Sequence, residues 1–144
     1  MSVNSSDTEL VVRVLGPGDE SLVEAAVQHM GHTPAANAAE VFLRDPSVVA
    51  VGGFDHRQLI GFAYGYVLSR PDDAPMANLY VLEVWPDYQR MGVGSRLISL
   101  FRHEVGRVSK LWLVSPDSAV AAGFYGSLGA RQERSDTVYE LPNE

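Results

Sequence analysis

The sequence predicts a mixed α/β domain on three observations: short apolar strands with period-two patterning, helices with an apolar stripe set between them, and hairpin signals toward both ends. The expected order is β-α-α-β-β-β-α-β-α-β-β, a central mixed sheet of roughly six or seven strands flanked by about four helices. At 144 residues with 46% hydrophobic content, residues 1–144 suit a single domain with a real core, and the polar residues 1–8 are expected to lie outside its ordered part.

Leu10 to Leu15 alternates apolar β-branched residues around Arg13 and stops at Gly16-Pro17-Gly18. Asp19 is placed to cap a helix in which Leu22, Val23, Ala26, Val27 and Met30 recur at helical spacing until Gly31, and Pro34 to Leu43 reads as a second short helix. Ser47 to Phe54 and Gln58 to Ser69 are strands joined through Asp55-His56-Arg57 as a hairpin, with Gly61 and Gly65 marking a bulge or a close approach to the backbone. Arg70 to Pro75, with two prolines and two aspartates, is a loop.

Met76 to Trp85 is the next strand, with Asn78, Tyr80, Leu82 and Val84 on one face and Leu79, Val81 and Glu83 on the other. A helix over Gly92 to about Val108 has a stripe of Val93, Leu97, Leu100, Phe101 and Val105. Lys110 to Ser115 reads as a buried strand, Asp117 or Ser118 caps a helix running to Leu128, Gly129 ends it, and Gln132 to Leu141 supplies one or two closing strands.

Composition excludes several chemistries. Cysteine is absent, so there is no disulfide framework, thiol nucleophile or cysteine zinc site. The histidines His29, His32, His56 and His103 show no ligand spacing and read as surface residues; no metal is expected. No apolar run approaches the roughly 20 residues that span a bilayer, and a cytoplasmic protein is expected. Eighteen acidic against eleven basic side chains give a net charge of −7, which disfavours nucleic acid and attracts cations.

The segment Val84 to Ile98 carries the chemistry. An apolar strand runs through Gly92-Val93-Gly94 into an amphipathic helix, so free N–H groups of the first helical turn face a position no Cβ obstructs. Such a turn cradles an anion, and a pyrophosphate is its natural occupant. A Walker loop needs lysine directly after its last glycine, whereas Ser95-Arg96 follows Gly94; a Rossmann turn needs a third glycine where Leu97 stands.

The string Tyr88-Gln89-Arg90-Met91-Gly92-Val93-Gly94 resembles the Q/R-x-x-G-x-G/A signature of the GNAT superfamily of N-acetyltransferases, with Gln89, Gly92 and Gly94 at its fixed positions. Downstream, Ala121-Ala122-Gly123-Phe124-Tyr125 to Gly129-Ala130 is similar to the same superfamily's A-x-x-F-Y-x-x-x-G-F segment, departing at Ala130 where an aromatic is usual. The resemblance covers the chain from about Leu10 onward and implies the GNAT fold, with acetyl-CoA as donor.

It also implies roles. Backbone N–H groups of Arg90, Met91, Gly92, Val93, Gly94 and Ser95 would hold the pyrophosphate, and the pantetheine would lie along the strand ending at Val84, with Ser118 and Phe124 as further cofactor contacts. A backbone N–H near Glu83 or Val84 would polarise the thioester carbonyl. Tyr125 matches the tyrosine that protonates the departing thiolate. Glu83, alone in an apolar row, is the first choice of base for the incoming ammonium, its pKa expected to be raised; Asp117 is the second. Direct transfer in a ternary complex is favoured, since no cysteine or spaced Ser-His pair offers an acyl-enzyme.

Leu59 to Leu68, the acidic proline loop, Leu79 to Val84 and the Phe124-Tyr125 segment with Arg131 to Glu133 look like the gentamicin-type aminoglycoside 3-N-acetyltransferases, antibiotic-resistance enzymes, although Val81 stands where an acid is frequent and Glu83 where a small residue is. An acidic cleft of Asp72, Asp73, Glu83, Asp117 and Asp136 would then draw in a polycationic amine. A protein, peptide or polyamine N-acetyltransferase and a non-catalytic acyl-CoA-binding module are the alternatives. The edges near Thr137 to Leu141 suggest a possible homodimer.

Overall fold

Alternating apolar residues make Leu10–Val14 (β1) an edge strand, and a computed structural model describing residues 8–115, 118–132 and 139–143 pairs it antiparallel with Val48–Asp55 (β2). Two further antiparallel partners follow, Gln58–Leu68 (β3) and Met76–Val84 (β4), and Lys110–Leu113 (β5) joins β4 in parallel, so the sheet order is the chain order. The helices are Glu20–His29 (α1), Ala38–Arg44 (α2), Val93–Val105 (α3) and Ala119–Ser127 (α4). The chain divides into two compact units, Met1–Val114 and Ser115–Glu144. The mixed α/β architecture and four helices are as the sequence predicts. The sheet has five strands among the described residues, fewer than expected: the closing stretch from Gln132 lies largely outside them, and 139–143 form no strand.

In the first unit α3 covers one face of the sheet. Its stripe of Val93, Leu97, Ile98, Phe101 and Val105 is buried, and Gly53 and Gly61 leave room for it: a Cβ at either would stand 3.1 Å from Val93 or Leu97. Helices α1 and α2 cover the other face through a cluster that includes Val23, Ala26, Ala39, Leu43, Phe54 and Phe62. Phe62, Phe101, Ile60, Leu97 and Val51 are the largest fully buried side chains, each contributing about 1.5–3 kcal/mol by leaving water.

Boundaries move for local reasons. α2 starts at Ala38, later than Pro34, because Asn37 sits left-handed at φ 62° and a helix cannot run through it. Asp19 precedes α1 without capping it; its carboxylate accepts both Arg13 guanidinium nitrogens at 3.0 and 3.1 Å and the Gly16 N–H at 2.9 Å, which ties β1 to the turn and holds its pKa below the usual carboxylate range. α3 ends at Val105, where Gly106 at φ 69° reverses the chain, short of Val108. β5 is half-buried and spans only four residues, to Leu113.

A bulge in β4 changes its faces. Tyr64 pairs with Val81 but Gly65 pairs with Leu79, so Tyr80 is the extra residue. Asn78 and Tyr80 share a face with Tyr66 and Tyr64, and beyond the bulge that face passes to Val81, which packs on the α1/α2 side, and by alternation to Glu83, whereas Leu82 and Val84 turn toward α3. A regular strand would put Tyr80 and Glu83 on opposite faces. Gly65 permits the arrangement: a Cβ there would run into the Asn78 carbonyl and lie 2.7 Å from Phe101. Gly65→Ala is therefore expected to destabilise the protein by about 1–3 kcal/mol, read as a lower urea midpoint.

Candidate functional site

The β4–β5 pairing stops at Leu79 and Leu113, while β3 continues beside β4 to Val84. Among the described residues, the β4 edge on that side is thus unpaired within the sheet from Tyr80 to Val84. Trp85 donates its N–H to Ile60 on β3 at 2.8 Å, so strand alternation turns the Glu83 amide groups toward β3 and the Val84 amide groups toward the open edge. Of the two N–H groups expected to polarise a carbonyl, Val84's faces that edge.

The turn after β4 is built by a few bonds. A single 3-10 turn, Pro86–Tyr88, starts at Trp85, whose carbonyl accepts the Tyr88 N–H at 2.8 Å. Gln89 donates its side-chain amide to the Val84 carbonyl at 3.0 Å and so clamps the strand end to the turn. Arg90 lies at φ 65° and Gly92 at φ 80°, left-handed positions that curl the backbone before α3. The first helical bond runs from Arg96 N–H to the Gly92 carbonyl at 3.1 Å, so the N–H groups of Val93, Gly94 and Ser95 precede it. No atom lies within 4 Å of where a Gly92 Cβ would stand. Open space, forward-facing N–H groups and a helix dipole suit a diphosphate.

Asp55 anchors this turn. The buried Tyr88 donates its hydroxyl to Asp55 Oδ2 at 2.7 Å, and Asp55 Oδ1 takes the Glu9 N–H at 3.0 Å and contacts His56 Nδ1 at 2.9 Å. The Tyr88 bond, foremost, and the other two hold the Asp55 carboxyl below its ordinary range; the same bond raises the Tyr88 phenol.

On the α1/α2 face lies a groove of about 280 Å³ whose lining includes Val23, Val27, Met30, Pro34, Phe42, Phe62 and Tyr64. Among the described residues its one carboxylate is Glu24. At the sheet side of the groove Tyr64 meets Phe42 edge-on at 4.9 Å and Phe62 at 5.6 Å. Where α1 ends, His29 stacks on Trp85 with centroids 3.8 Å apart and planes 4° from parallel.

The candidate residues are not all gathered in one place. Val84, Gln89 and Arg90 to Ser95 form one continuous turn. Glu83 is on the groove's face of β4 but exposed, without the apolar burial expected of it. Asp72 and Asp73 precede the opposite end of β4, whose first residue, Met76, stands about 23 Å from Glu83 at an ordinary strand rise, with Arg70 against them at 3.3 and 3.9 Å; they are not gathered with Glu83. Asp117 and Asp136 lie outside the described residues. In the second unit Ser118 caps α4 by accepting the Ala121 N–H at 3.1 Å. Half-buried Tyr125 meets Phe124 at 5.0 Å, and Gly129 at φ 84° with Ala130 N–H bonded to the Tyr125 carbonyl at 3.0 Å closes the helix in a Schellman turn. Asp55, Tyr88, Tyr66 and the His29–Trp85 stack were missed; only the Tyr64-x-Tyr66 spacing hinted at an aromatic face.

The model of the acetyltransferase (GNAT) family matches residues 20–130, and the chain belongs to that family: it is an N-acetyltransferase of the EC 2.3.1 type. No curated protein matches it in sequence. Solved structures share its fold. An aminoglycoside acetyltransferase from an uncultured soil metagenomic sample superposes with a TM-score of 0.81 at 19% identity, covering 94% of this chain and 99% of that one. AAC(6')-Iy, solved with the bisubstrate analogue CoA-S-monomethyl-acetylneamine, gives 0.78 at 16% identity, covering 94% and 100%. A ribosomal-protein-alanine N-acetyltransferase from Brucella melitensis biovar Abortus 2308 gives 0.75 at 22%, covering 92% and 100%. Among the described residues no group of side chains is arranged to hold a metal ion, and no helix is long and apolar enough to cross a membrane.

Two outcomes follow for the turn. A carboxylate whose folded pKa lies below its unfolded value, about 3.9, contributes stability that is present above that value and is lost as pH falls through the folded one. The stability gap between wild type and Asp55→Asn, followed by thermal melts from neutral to acid pH, should be full above about pH 5 and close below about pH 4. Releasing the Val84 clamp with Gln89→Ala should raise KM for acetyl-CoA about three- to tenfold, the worth of one hydrogen bond, with a smaller change in kcat.

Proposed function

We propose that this protein transfers the acetyl group of acetyl-CoA directly to a primary amine of a small molecule. The observation that carries the reading is the β4 edge from Tyr80 to Val84, left unpaired within the sheet and opening onto the N-terminus of α3. When bound, acetyl-CoA supplies an activated acetyl carbon: the ammonium first gives one proton to a base, the free amine nitrogen then bonds to that carbon as the carbon–sulfur bond breaks, and the second proton that the nitrogen sheds offsets the one that sulfur gains.

The chain's residues divide the work. N–H groups from Arg90 to Ser95 receive the diphosphate, Gln89 fixes the strand end, and the Val84 N–H faces the charge that develops on the acetyl oxygen, an effect worth roughly 3 kcal/mol per donor. Glu83 takes the proton from the acceptor ammonium at a carboxylate oxygen; its support is its place on the groove's side of β4, and its exposure means that acceptor and cofactor must supply the desolvation. Asp117 is the alternative base. Tyr125 delivers its phenolic proton to sulfur, a role resting on the family motif. Ser118 and Phe124 are proposed as cofactor contacts.

An aminoglycoside acceptor is favoured by the sequence resemblance, of the 3-N or another regiochemistry, and by the net charge of −7. The separation of Asp72 and Asp73 from Glu83 and the apolar lining of the groove weigh against it. An acetyl-CoA turnover screen over aminoglycosides, polyamines and N-terminal peptides tests the reading; release of CoA with peptides alone would overturn the small-molecule assignment. Tyr125→Phe should lower kcat about a hundredfold or more, the ordinary share of a general acid, and Glu83→Gln should lower kcat/KM by about the same factor, the ordinary share of a general base. Full activity of Glu83→Gln and Asp117→Asn across neutral pH would point to a water chain as the proton route.

A further inference from the structure

We propose that Tyr64, Tyr66 and Tyr80 form the surface that receives the acceptor's ammonium group, and that the acceptor is a monoamine whose aliphatic or aromatic body fills the adjoining groove. The inference rests on the acetyltransferase reading and departs from an aminoglycoside substrate.

The bulge brings the three rings together. Tyr80, the extra residue of β4, lies with its ring centroid 5.7 Å from Tyr64 and 6.3 Å from Tyr66, and the two β3 rings are 6.1 Å apart. The planes differ by 38°, 74° and 85°, so the rings meet tilted or edge-to-face instead of stacking flat, in one contiguous aromatic patch. Tyr80 is 65% exposed, a large aromatic held in water on the strand whose edge receives the donor. Such faces attract a cation, most strongly when water is excluded. Carboxylate charge surrounds them: Asp45 acts electrostatically on Tyr66, and Glu83 is on the same face of β4. Burial and its tyrosine neighbours push the Tyr64 phenol up to about 12, so that ring stays neutral and offers a π-face instead of a phenolate.

The groove sets the rest of the substrate. Tyr64 belongs both to the cluster and to the groove, whose walls continue through Val23, Val27, Met30, Phe42 and Phe62. Inside it a methylene chain or a ring gains from leaving water. A second or third ammonium would be stripped of water against valine, methionine and phenylalanine with Glu24 as the one carboxylate in the described lining, which is costly. One charge at the tyrosines with an apolar body behind it fits; a polycation does not.

Steady-state CoA release decides it, with phenethylamine and hexylamine against spermidine and kanamycin. The monoamines should have the higher kcat/KM. Tyr80→Leu and Tyr66→Leu keep apolar volume but remove a π-face, and each should raise KM for phenethylamine about five- to tenfold without moving KM for acetyl-CoA, in protein whose circular dichroism melt is intact. Preference for kanamycin or spermidine, unmoved KM in both variants, or acetyl-CoA binding by calorimetry with no monoamine acetylated would overturn the inference. Failure to bind acetyl-CoA together with no CoA release for any amine would overturn the acetyltransferase reading itself.

Discussion

One extra residue in β4 governs the chemistry on this sheet. Strand side chains alternate, so every position after an insertion changes side relative to a regular strand. The insertion at Tyr80 sets Tyr80, Val81 and Glu83 toward α1 and α2, and Leu82 and Val84 toward α3. It is tolerated because Gly65, the residue opposite, has no side chain to meet the Asn78 carbonyl. A glycine in one strand thereby sets which residues of the next strand reach the acceptor side.

The second requirement is a backbone left unpaired without collapse. A sheet edge exposes donors and acceptors that favour pairing with anything extended, and on the proposed reading that tendency would serve an extended ligand. The region stays in shape because its ends are held from outside the strand. Gln89 occupies the Val84 carbonyl, and Tyr88 is bonded to Asp55 at the far hairpin, which also receives the start of β1 through Glu9. Three distant pieces of chain therefore meet at one carboxylate, and the rigidity of the turn depends on the ionised form of that group. The helix that follows has no side-chain cap at Gly92, which leaves its first N–H groups available to an anion.

Much of this was legible in the residues. The order of strands and helices followed from periodicity, and the donor turn from Gln89, Gly92 and Gly94, because glycine positions report backbone geometry directly. Gly65 signalled a bulge or close approach, yet which residue of the partner strand would be extra depends on pairing register, which a single strand does not encode. The faces of β4 were read wrongly after Tyr80 for that reason. Glu83 seemed buried because Leu79 and Val81 were read beside it, but the bulge leaves Leu79 on the α3 side, where Leu82 and Val84 also point, and Glu83 stays exposed on the face of Val81 and Tyr80. The acidic cleft failed for the same class of reason: Asp72 and Asp73 are close to Glu83 along the chain but separated from it by the length of a strand, with Arg70 beside them. Asp55 and Tyr88, 33 positions apart, carried no local pattern at all.

The stack of His29 on Trp85 would couple the two binding steps of the proposed reaction. His29 ends α1, which helps to line the groove, and Trp85 begins the turn before α3, so on the proposed assignment one ring pair would adjoin both binding regions. A ligand that changes the stack from either side changes the free energy of binding on the other, and such coupling is reciprocal: whatever factor the donor imposes on acceptor affinity, the acceptor imposes on donor affinity. Under that assignment the two binding steps would share a thermodynamic account, although no atom of either ligand need touch the other's wall.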